Sequence, residues 1–568
     1  MSASRDILDL RLSGELLLED AKWMTCNATR IIDLYNLLIE NLVKENDLTE
    51  LHLLLNVSCR NPYQSCILDC LFRLELLKFR LCEKTSYSKI LIDKKQLQKP
   101  VQDLLTQHGL VDTSIIIVSK DHPLSVVILI NIVKSVFATF NDIFWSRLYK
   151  VKRIPSAEIV FVDTFMGQQS VGSNGDFLDR YYTGHDEYLR QCEIDKLWFA
   201  PTLANIRTFS DYKKVFANIR KCNANLLIQE SWLSLYDYLI SIKLSLSIPR
   251  RVFRLLPIVG HDLSQLIINE SRLQIGSFSL VKAISKYIFI QRISEASIDI
   301  SGAVDWNENQ VVDRALNLGF KKFYPDVQVR GYQCFMVPKY YACAEPREFE
   351  KILGTLPHSY HVFGESAHAA TARVRKFIDV EPSPAFRLSY LSKIQRQTVE
   401  PPIILFAMPI ILGESRKLVD LLLSLLETTG ADYSLVVKIH PTHSLRQFQQ
   451  AVPAAKDTRI QFTSLDMSEL LTSASMLVSV TSSVCAEAAA LGIPVAILGN
   501  LSGPTVSPIP RVVPAHYHIN CYSVNDLKTF MVSNLTAAHL ESIDREIFHP
   551  NDRNGSKRLF VFEKESHS

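Results

Sequence analysis

The chain has 568 residues, 47% hydrophobic and 21% charged, which excludes wholesale disorder and leaves room for two or three domains. A formal charge of +3 gives a nucleic-acid partner no electrostatic support. Eleven cysteines, odd in number and without a CxxC pair, fit reduced thiols of a cytoplasmic protein better than a disulfide framework or a zinc site.

Residues 1–85 carry leucines at helical spacing (Ile31, Leu34, Leu37, Leu38, Leu42), which predicts a mainly helical opening segment with one early strand over Leu51 to Val57. Met1 to Asp9 is polar and has no apolar core of a secretory signal. Residues 86–378 then read as a Rossmann-like domain. SKILID, SIIIV and AEIVFVD are strand-like and alternate with helical patterns, the β-α-β-α-β order of one parallel sheet. Pro123 to Phe140 is the most hydrophobic stretch, but Asn131 and Lys134 interrupt it and its length is marginal for a span, so a buried amphipathic helix is expected. Basic clusters at Arg147-Lys150-Lys152-Arg153 and Arg250-Arg251-Arg254 suit either a solvated face or peripheral contact with the anionic cytoplasmic face of an inner membrane.

Residues 167–290 show few strands and read as a helical insertion on the acceptor side. Residues 379–402 are proline-bearing and read as a linker. Residues 403–535 form a second Rossmann-like domain, and 536–568 a helix followed by a polar, mobile tail from His549. The expected architecture is α/β, two Rossmann-like domains with parallel sheets facing across a cleft.

Chemistry concentrates in the second domain. The run YSLVVKIHP ends in His440-Pro441, and MLVSVTSS ends in Thr481-Ser482-Ser483 before a helix carrying Glu487. Ligands of open α/β sheets sit at the carboxyl ends of strands. There, Ser482 and Ser483 at a helix start offer hydroxyls and free N–H groups to a phosphate, the same groups an ordinary N-cap uses. His440 could donate to a donor phosphate or protonate a departing nucleotide, or it could be a strand-end hydrogen-bonder. Lys438 lies two residues earlier on the same strand face. Glu487, four residues after Ser483, would hold ribose hydroxyls or stand as an ordinary helix glutamate. Gly413 would let backbone approach the nucleotide or merely turn the chain.

These motifs, over about Ile403 to Leu498, resemble the GT-B glycosyltransferases. More narrowly they resemble bacterial enzymes using CMP- or CDP-linked donors: sialyl- and polysialyltransferases, capsule Kdo transferases and teichoic-acid glycerophosphotransferases. The resemblance implies that His440, Ser482 and Ser483 contact the donor phosphate, and that neither metal nor cofactor is needed. The stretches VDTFMGQQS, DRYYTGHDEYL, WNENQVVDRALNLGF, VRGYQCF and SPAFRLSYL further resemble a class of surface-carbohydrate biosynthesis proteins. The acidic motif that supplies the base in sialyltransferases has no counterpart, since Asp186-Glu187 is followed by Tyr188.

A glycosyl transfer needs a carboxylate facing the acceptor. Glu308, amid Asn307, Asn309 and Gln310, is the first candidate, with Asn309 and Gln310 for sugar hydroxyls. Asp163, at the end of EIVFVD, is the second, and Glu365 in FGES the third. The expected activity is transfer of a sugar, with CMP-linked Kdo favoured, to a bacterial surface polysaccharide or lipopolysaccharide glycan. A UDP-sugar or CDP-glycerol-type transferase, a nucleotide-sugar 2-epimerase and a scaffold of an export complex are the alternatives.

Overall fold

The computed structural model describes residues 7–46, 48–83, 85–119, 122–172, 174–204, 206–251, 260–337, 340–427, 433–535 and 547–563. Its strands form three parallel sheets. A small one joins β1 (Ile7–Asp9), β2 (Lys89–Ile92) and β3 (Ser114–Ile117). The second holds β4 (Ile159–Met166), β5 (Leu197–Leu203), β6 (Ile300–Trp306), β7 (Val329–Gln333), β8 (Ser359–Val362) and β9 (Asp379–Pro382), in the order β5-β4-β6-β7-β8-β9. The third holds β10 (Ile403–Ala407), β11 (Ser434–Lys438), β12 (Ala474–Ser479), β13 (Val495–Leu498) and β14 (His518–Cys521), in the order β11-β10-β12-β13-β14.

Both large sheets are built alike. The first strand lies inside, the second is added on one side, and the third crosses back to the other. The winding reverses between β4 and β6 and again between β10 and β12, which opens a crevice at the carboxyl tips of those strands. Alternate residues of each strand feed different layers. Ile159, Phe161 and Ala303 pack under the helical opening segment, and Val160, Val162 and Val304 belong to a core that continues through Phe386 and Leu388 to Leu405, Leu477 and Val495. The two domains therefore share an apolar core.

Several expectations change. SKILID and SIIIV are strands, but they form a separate sheet with β1, in which β2 lies between β1 and β3, and they do not join β4. The helix Leu124–Tyr149 has 26 residues and carries the chain about 39 Å from β3, far enough to start a separate sheet. It is also not buried: Leu129, Val133 and Phe140 are more than half exposed. The expected strand at 51–57 is helical, 3-10 over Glu50–Leu54 and α over Asn56–Cys59, because its leucines fill a helical core instead of a pleat. The insertion at 167–290 contributes β5, paired along its whole length with β4. The stretch read as a linker supplies the edge strand β9 before it crosses to the second domain. Arg254, part of the second basic cluster, lies outside the described residues.

The tail expected to be mobile from His549 is docked as far as it is described, to residue 563; the rest of that stretch, 564–568, and the expected helix over 536–546 lie outside the described residues. Helix Arg553–Phe560 buries Leu559 and Phe560, and Arg330 of β7 donates to the carbonyls of Leu559 (3.3 Å) and Val561 (2.9 Å). The Arg330 guanidinium stacks 3.8 Å from the Phe562 ring centroid. Gly302 makes room for that ring, since a Cβ there would meet it at 2.1 Å.

Candidate active site

The crevice at β10 and β12 opens into a cavity of about 510 Å³. The second domain contributes Gly413, Glu414 and Lys417 after β10, Thr481 after β12, and the loop after β13. Its opposite wall comes from the helical opening segment, with Tyr63, Asp69 and Arg73, and from Tyr340. Arg73 lies on helix Ile67–Cys82 and is 2% exposed. Its Nη2 donates to the carbonyls of Gly14 (3.3 Å) and Ser502 (3.0 Å), while Nη1, itself buried, has no hydrogen-bond partner among the described residues. A buried guanidinium with an unpaired N–H is costly, and its charge lies beside the cavity, where it favours an anion. Lys417 adds a second cation, held by the Ser502 hydroxyl (3.1 Å) and Glu15 (3.2 Å).

Two acids share this cavity. Burial raises the Asp69 carboxyl, which accepts a hydrogen bond from the Tyr340 hydroxyl. Burial pushes Glu414 up to about 7, against the pull of nearby Lys417. Glu414 sits in the first turn of helix Leu412–Leu426, where the dipole favours the anion, but desolvation wins. Gly413 is part of that helix and not a turn residue. A Cβ there would meet nothing within 4 Å, so its backbone stands open to the cavity.

Glu308 lies just past the tip of β6, at the crevice of the first domain. It is half-buried and oriented by three donors: Trp306 Nε1 at 3.1 Å, Gln310 Nε2 at 2.6 Å and the Tyr341 hydroxyl at 3.5 Å. Tyr341 packs on Tyr63, a cavity wall residue, with ring centroids 5.5 Å apart. On its other side Glu308 neighbours Tyr181, whose ring lies against Trp306 at 4.3 Å and under the Arg387 guanidinium at 6.0 Å. The positive charge of Arg387 reaches His440 and Glu487 of the second domain. Glu308 is thus linked through Tyr341 and Tyr63 to the cavity wall, and through Tyr181 and Arg387 to His440.

His440 follows β11 and is half-buried. Burial first, then the charges of His443 and Arg387, lower its pKa, so the ring is neutral at neutral pH. Its Nδ1 accepts from the Thr442 amide at 3.3 Å, which assigns the proton to Nε2 and leaves that N–H free to donate. The tips of β11 and β12 are not neighbours as expected. β10 runs between them, which separates His440 from Ser482 and Ser483 by two strand spacings, roughly 9–10 Å. Ser482 is half-buried and Ser483 exposed, and no side chain caps their helix, Val484–Ala490. Thr481 lines the cavity and donates to the Val506 carbonyl at 3.1 Å.

Other candidates are engaged elsewhere. Lys438 donates to the carbonyls of Ser464 (3.2 Å) and Leu465 (2.5 Å), tying down a loop. Glu487 is buried and closed off by hydrogen bonds from Tyr390 and Ser483, with its pKa raised by burial. Asp163 is not at a strand end: β4 runs on to Met166, and Asp163 is buried in an ion pair with Lys286 at 2.7 Å. There it joins Asp305 and Asp313 in a fully buried acidic cluster. Asn309 turns inward at φ +54°, donates to the Cys343 carbonyl (2.9 Å) and accepts from Arg314, so it faces no acceptor. Gln310 caps helix Val311–Phe323 and steadies Glu308. Glu365 stands exposed at the start of helix Glu365–Ala370, 3.8 Å from His368. Arg73, Glu414 and Lys417 were not legible beforehand. Arg73 lies in a leucine-rich helix more than 300 residues before the second domain, and its one local signal was Asp69, four residues earlier on the same helical face.

Residues 387–502 match the family model described as "Putative glycosyltransferase (DUF6716)". No curated protein matches the chain. Among solved structures, the chain is similar to one titled "putative UDP-N-acetylglucosamine 2-epimerase" from Listeria monocytogenes, at 12% identity and TM-score 0.40, over 71% of this chain and 95% of that one. It is also similar to the UDP-GlcNAc 2-epimerase of Neisseria meningitidis bound to UDP-GlcNAc (12%, TM-score 0.38, 71% and 98%). A third is MurG of Acinetobacter baumannii (10%, TM-score 0.36, 72% and 99%). Likeness at these scores fixes neither substrate nor chemistry.

Proposed function

We propose that this α/β chain, whose residues 387–502 carry a glycosyltransferase family segment, transfers a sugar from a nucleotide-linked donor to an acceptor glycan, as a GT-B glycosyltransferase of bacterial surface-polysaccharide synthesis. The observation that carries the reading is the placement of Glu308. It lies past the strand tip at one domain's switch point, and its neighbours Tyr341 and Tyr181 link it to the cavity wall at Tyr63 and to Arg387, whose charge reaches His440 of the other domain.

In this reading the donor phosphate sits over the tips of β10 and β12. Arg73 and Lys417 neutralise it, and the open backbone at Gly413 lets it approach. Nε2–H of His440 reaches the donor from the β11 side as a hydrogen-bond donor and not as an imidazolium acid. Glu308 accepts the proton of the acceptor hydroxyl as that oxygen bonds to the anomeric carbon. The bond from that carbon to the phosphate oxygen breaks, and its electron pair leaves with the nucleotide. Tyr181 and Tyr341, packed on Trp306 and Tyr63, flank Glu308 on either side.

The His440-Pro441 and serine motifs favour a CMP-linked donor of the Kdo type. Thermal shift with CMP, CDP, UDP and GDP reads this directly, since a ligand of the folded state raises Tm. A shift with CMP or CDP is expected; a shift with UDP alone would overturn the donor class. Glu308→Gln should abolish transfer without changing that shift. Full transfer by Glu308→Gln would overturn the mechanism.

A further inference from the structure

The helix Leu124–Tyr149 is built inside out. Its buried residues are largely polar: Ser135, Thr139, Asn141, Asp142 and Ser146, with Ala138 and Trp145. Its outward residues are large and apolar, among them Leu129 (61% exposed), Val133 (59%), Val136 (48%), Phe140 (56%) and Leu148 (55%). The polar side bonds the helix firmly to the domain. Asn131 donates to the Leu273 carbonyl (2.9 Å), Ser135 to Gly276 (2.8 Å) and Ser146 to Glu230 (3.2 Å), and Asp142 pairs with Lys282 at 2.8 Å. The apolar surface continues onto neighbouring helices. Phe209 of helix Phe209–Lys221 packs on Phe144 and Trp145, and Leu235, Tyr236 and Leu239 of helix Leu235–Ser247 are exposed. An apolar face of this extent is far larger than the scattered exposed side chains of an ordinary surface.

We propose that this face is a membrane-docking surface that lies in the headgroup region of an anionic lipid bilayer. The helix is long and apolar enough to cross a membrane, with mean hydropathy 1.8 over its most apolar window. Its polar side, however, is hydrogen-bonded to its own domain, and leaving would break the buried ion pair of Asp142 with Lys282. It therefore lies along the interface with its apolar side down, about 39 Å of helix in all. Charge selects lipid as the occupant. Lys134, Arg147, Lys213, Lys214, Lys221 and Lys243 are all exposed on these three helices. The three acids on the same helices are engaged elsewhere: Asp142 with Lys282, Asp237 with Arg292, and Asp211 as the partner of Thr208 at a helix start. What remains is an apolar face with a basic surround, complementary to acidic headgroups. The inference does not depend on the proposed transfer reaction.

Co-sedimentation of the full chain with vesicles tests it, using phosphatidylcholine alone against phosphatidylcholine with 30% phosphatidylglycerol. Binding to the anionic vesicles is expected, at least tenfold above the neutral ones and weakened by 0.5 M salt. Leu129→Asp/Val133→Asp/Phe140→Asp should lower that binding tenfold or more with unchanged Tm, because all three side chains are exposed. Lys213→Glu/Lys214→Glu should weaken it separately through charge. Equal binding to both vesicle types, or no loss in either variant, would overturn the proposal. So would a vesicle-free dimer that the triple variant turns into a monomer, since a second copy would then own the face.

Discussion

The guanidinium of Arg73 donates to the backbone carbonyl of Ser502 at 3.0 Å, across 429 residues of chain. That contact brings a helix of the opening segment over the tips of the second domain's strands and closes the cavity between them. The same side chain lines the cavity and keeps its other nitrogen, Nη1, buried without a partner among the described residues.

Arg73→Ala should therefore weaken nucleotide binding by about 10- to 100-fold, the loss of one charge-assisted hydrogen bond of about 1.5–3 kcal/mol. Isothermal titration with the nucleotide that shifts Tm measures it. Unchanged affinity would place the phosphate elsewhere. Because Arg73 also braces Gly14 and Ser502, the variant's Tm is read alongside.

Glu414 makes binding pH-dependent. Burial raises its pKa to about 7, so it is neutral below that and an anion above. An added negative charge in the cavity opposes a phosphate, so affinity should fall as pH rises from 6 to 8. Glu414→Gln should flatten that profile. A wild-type affinity that rises with pH would contradict the placement.

His361 supplies an acid-side stability term. Burial, with lesser contributions from Arg330 and Arg558, lowers its pKa to about 3 from 6.5. Below pH 6.5 the unfolded chain takes up a proton that the folded chain refuses, so stability falls as pH drops from 6.5 towards 3. The slope for this one group approaches about 1.4 kcal/mol per pH unit. His361→Gln should reduce the slope of denaturant-derived stability against pH over that window; an unchanged slope would show the ring to be solvated.

Lys286 neutralises Asp163 inside the acidic cluster beneath β4 and β6, at 2.7 Å. Removing one partner of a buried pair costs about 3–5 kcal/mol, because the other charge is stranded. Lys286→Met should lose stability on that scale, and adding Asp163→Asn should restore part of it. Additive losses in a double-mutant cycle would show that the two do not act as a pair.

The terminal helix is the last test of the fold. Phe560 is 2% exposed against the first domain, so Phe560→Ala should cost about 3–5 kcal/mol by chemical denaturation. A loss below 1 kcal/mol would mean that the tail does not hold.

The sequence by itself determined the local part of this protein. Apolar runs such as IILFA and ASMLVS are strands because continuous apolar residues need cover on both faces, and those strands alternate with helices as read. The position of Glu308 just past a strand tip was legible, because SIDISGAV reads as a strand and an amide-rich turn follows it. The tertiary structure alone decided which strands are neighbours, and so it set β10 between His440 and the serines. It also decided which faces are covered: the pattern of 124–149 shows an amphipathic helix but not that its polar side turns inward. That Asp163 is paired with Lys286 in the interior and that Arg73 lines a cavity of the second domain were hidden for the same reason. Burial and partnership depend on chain segments hundreds of residues away, and no local periodicity records them.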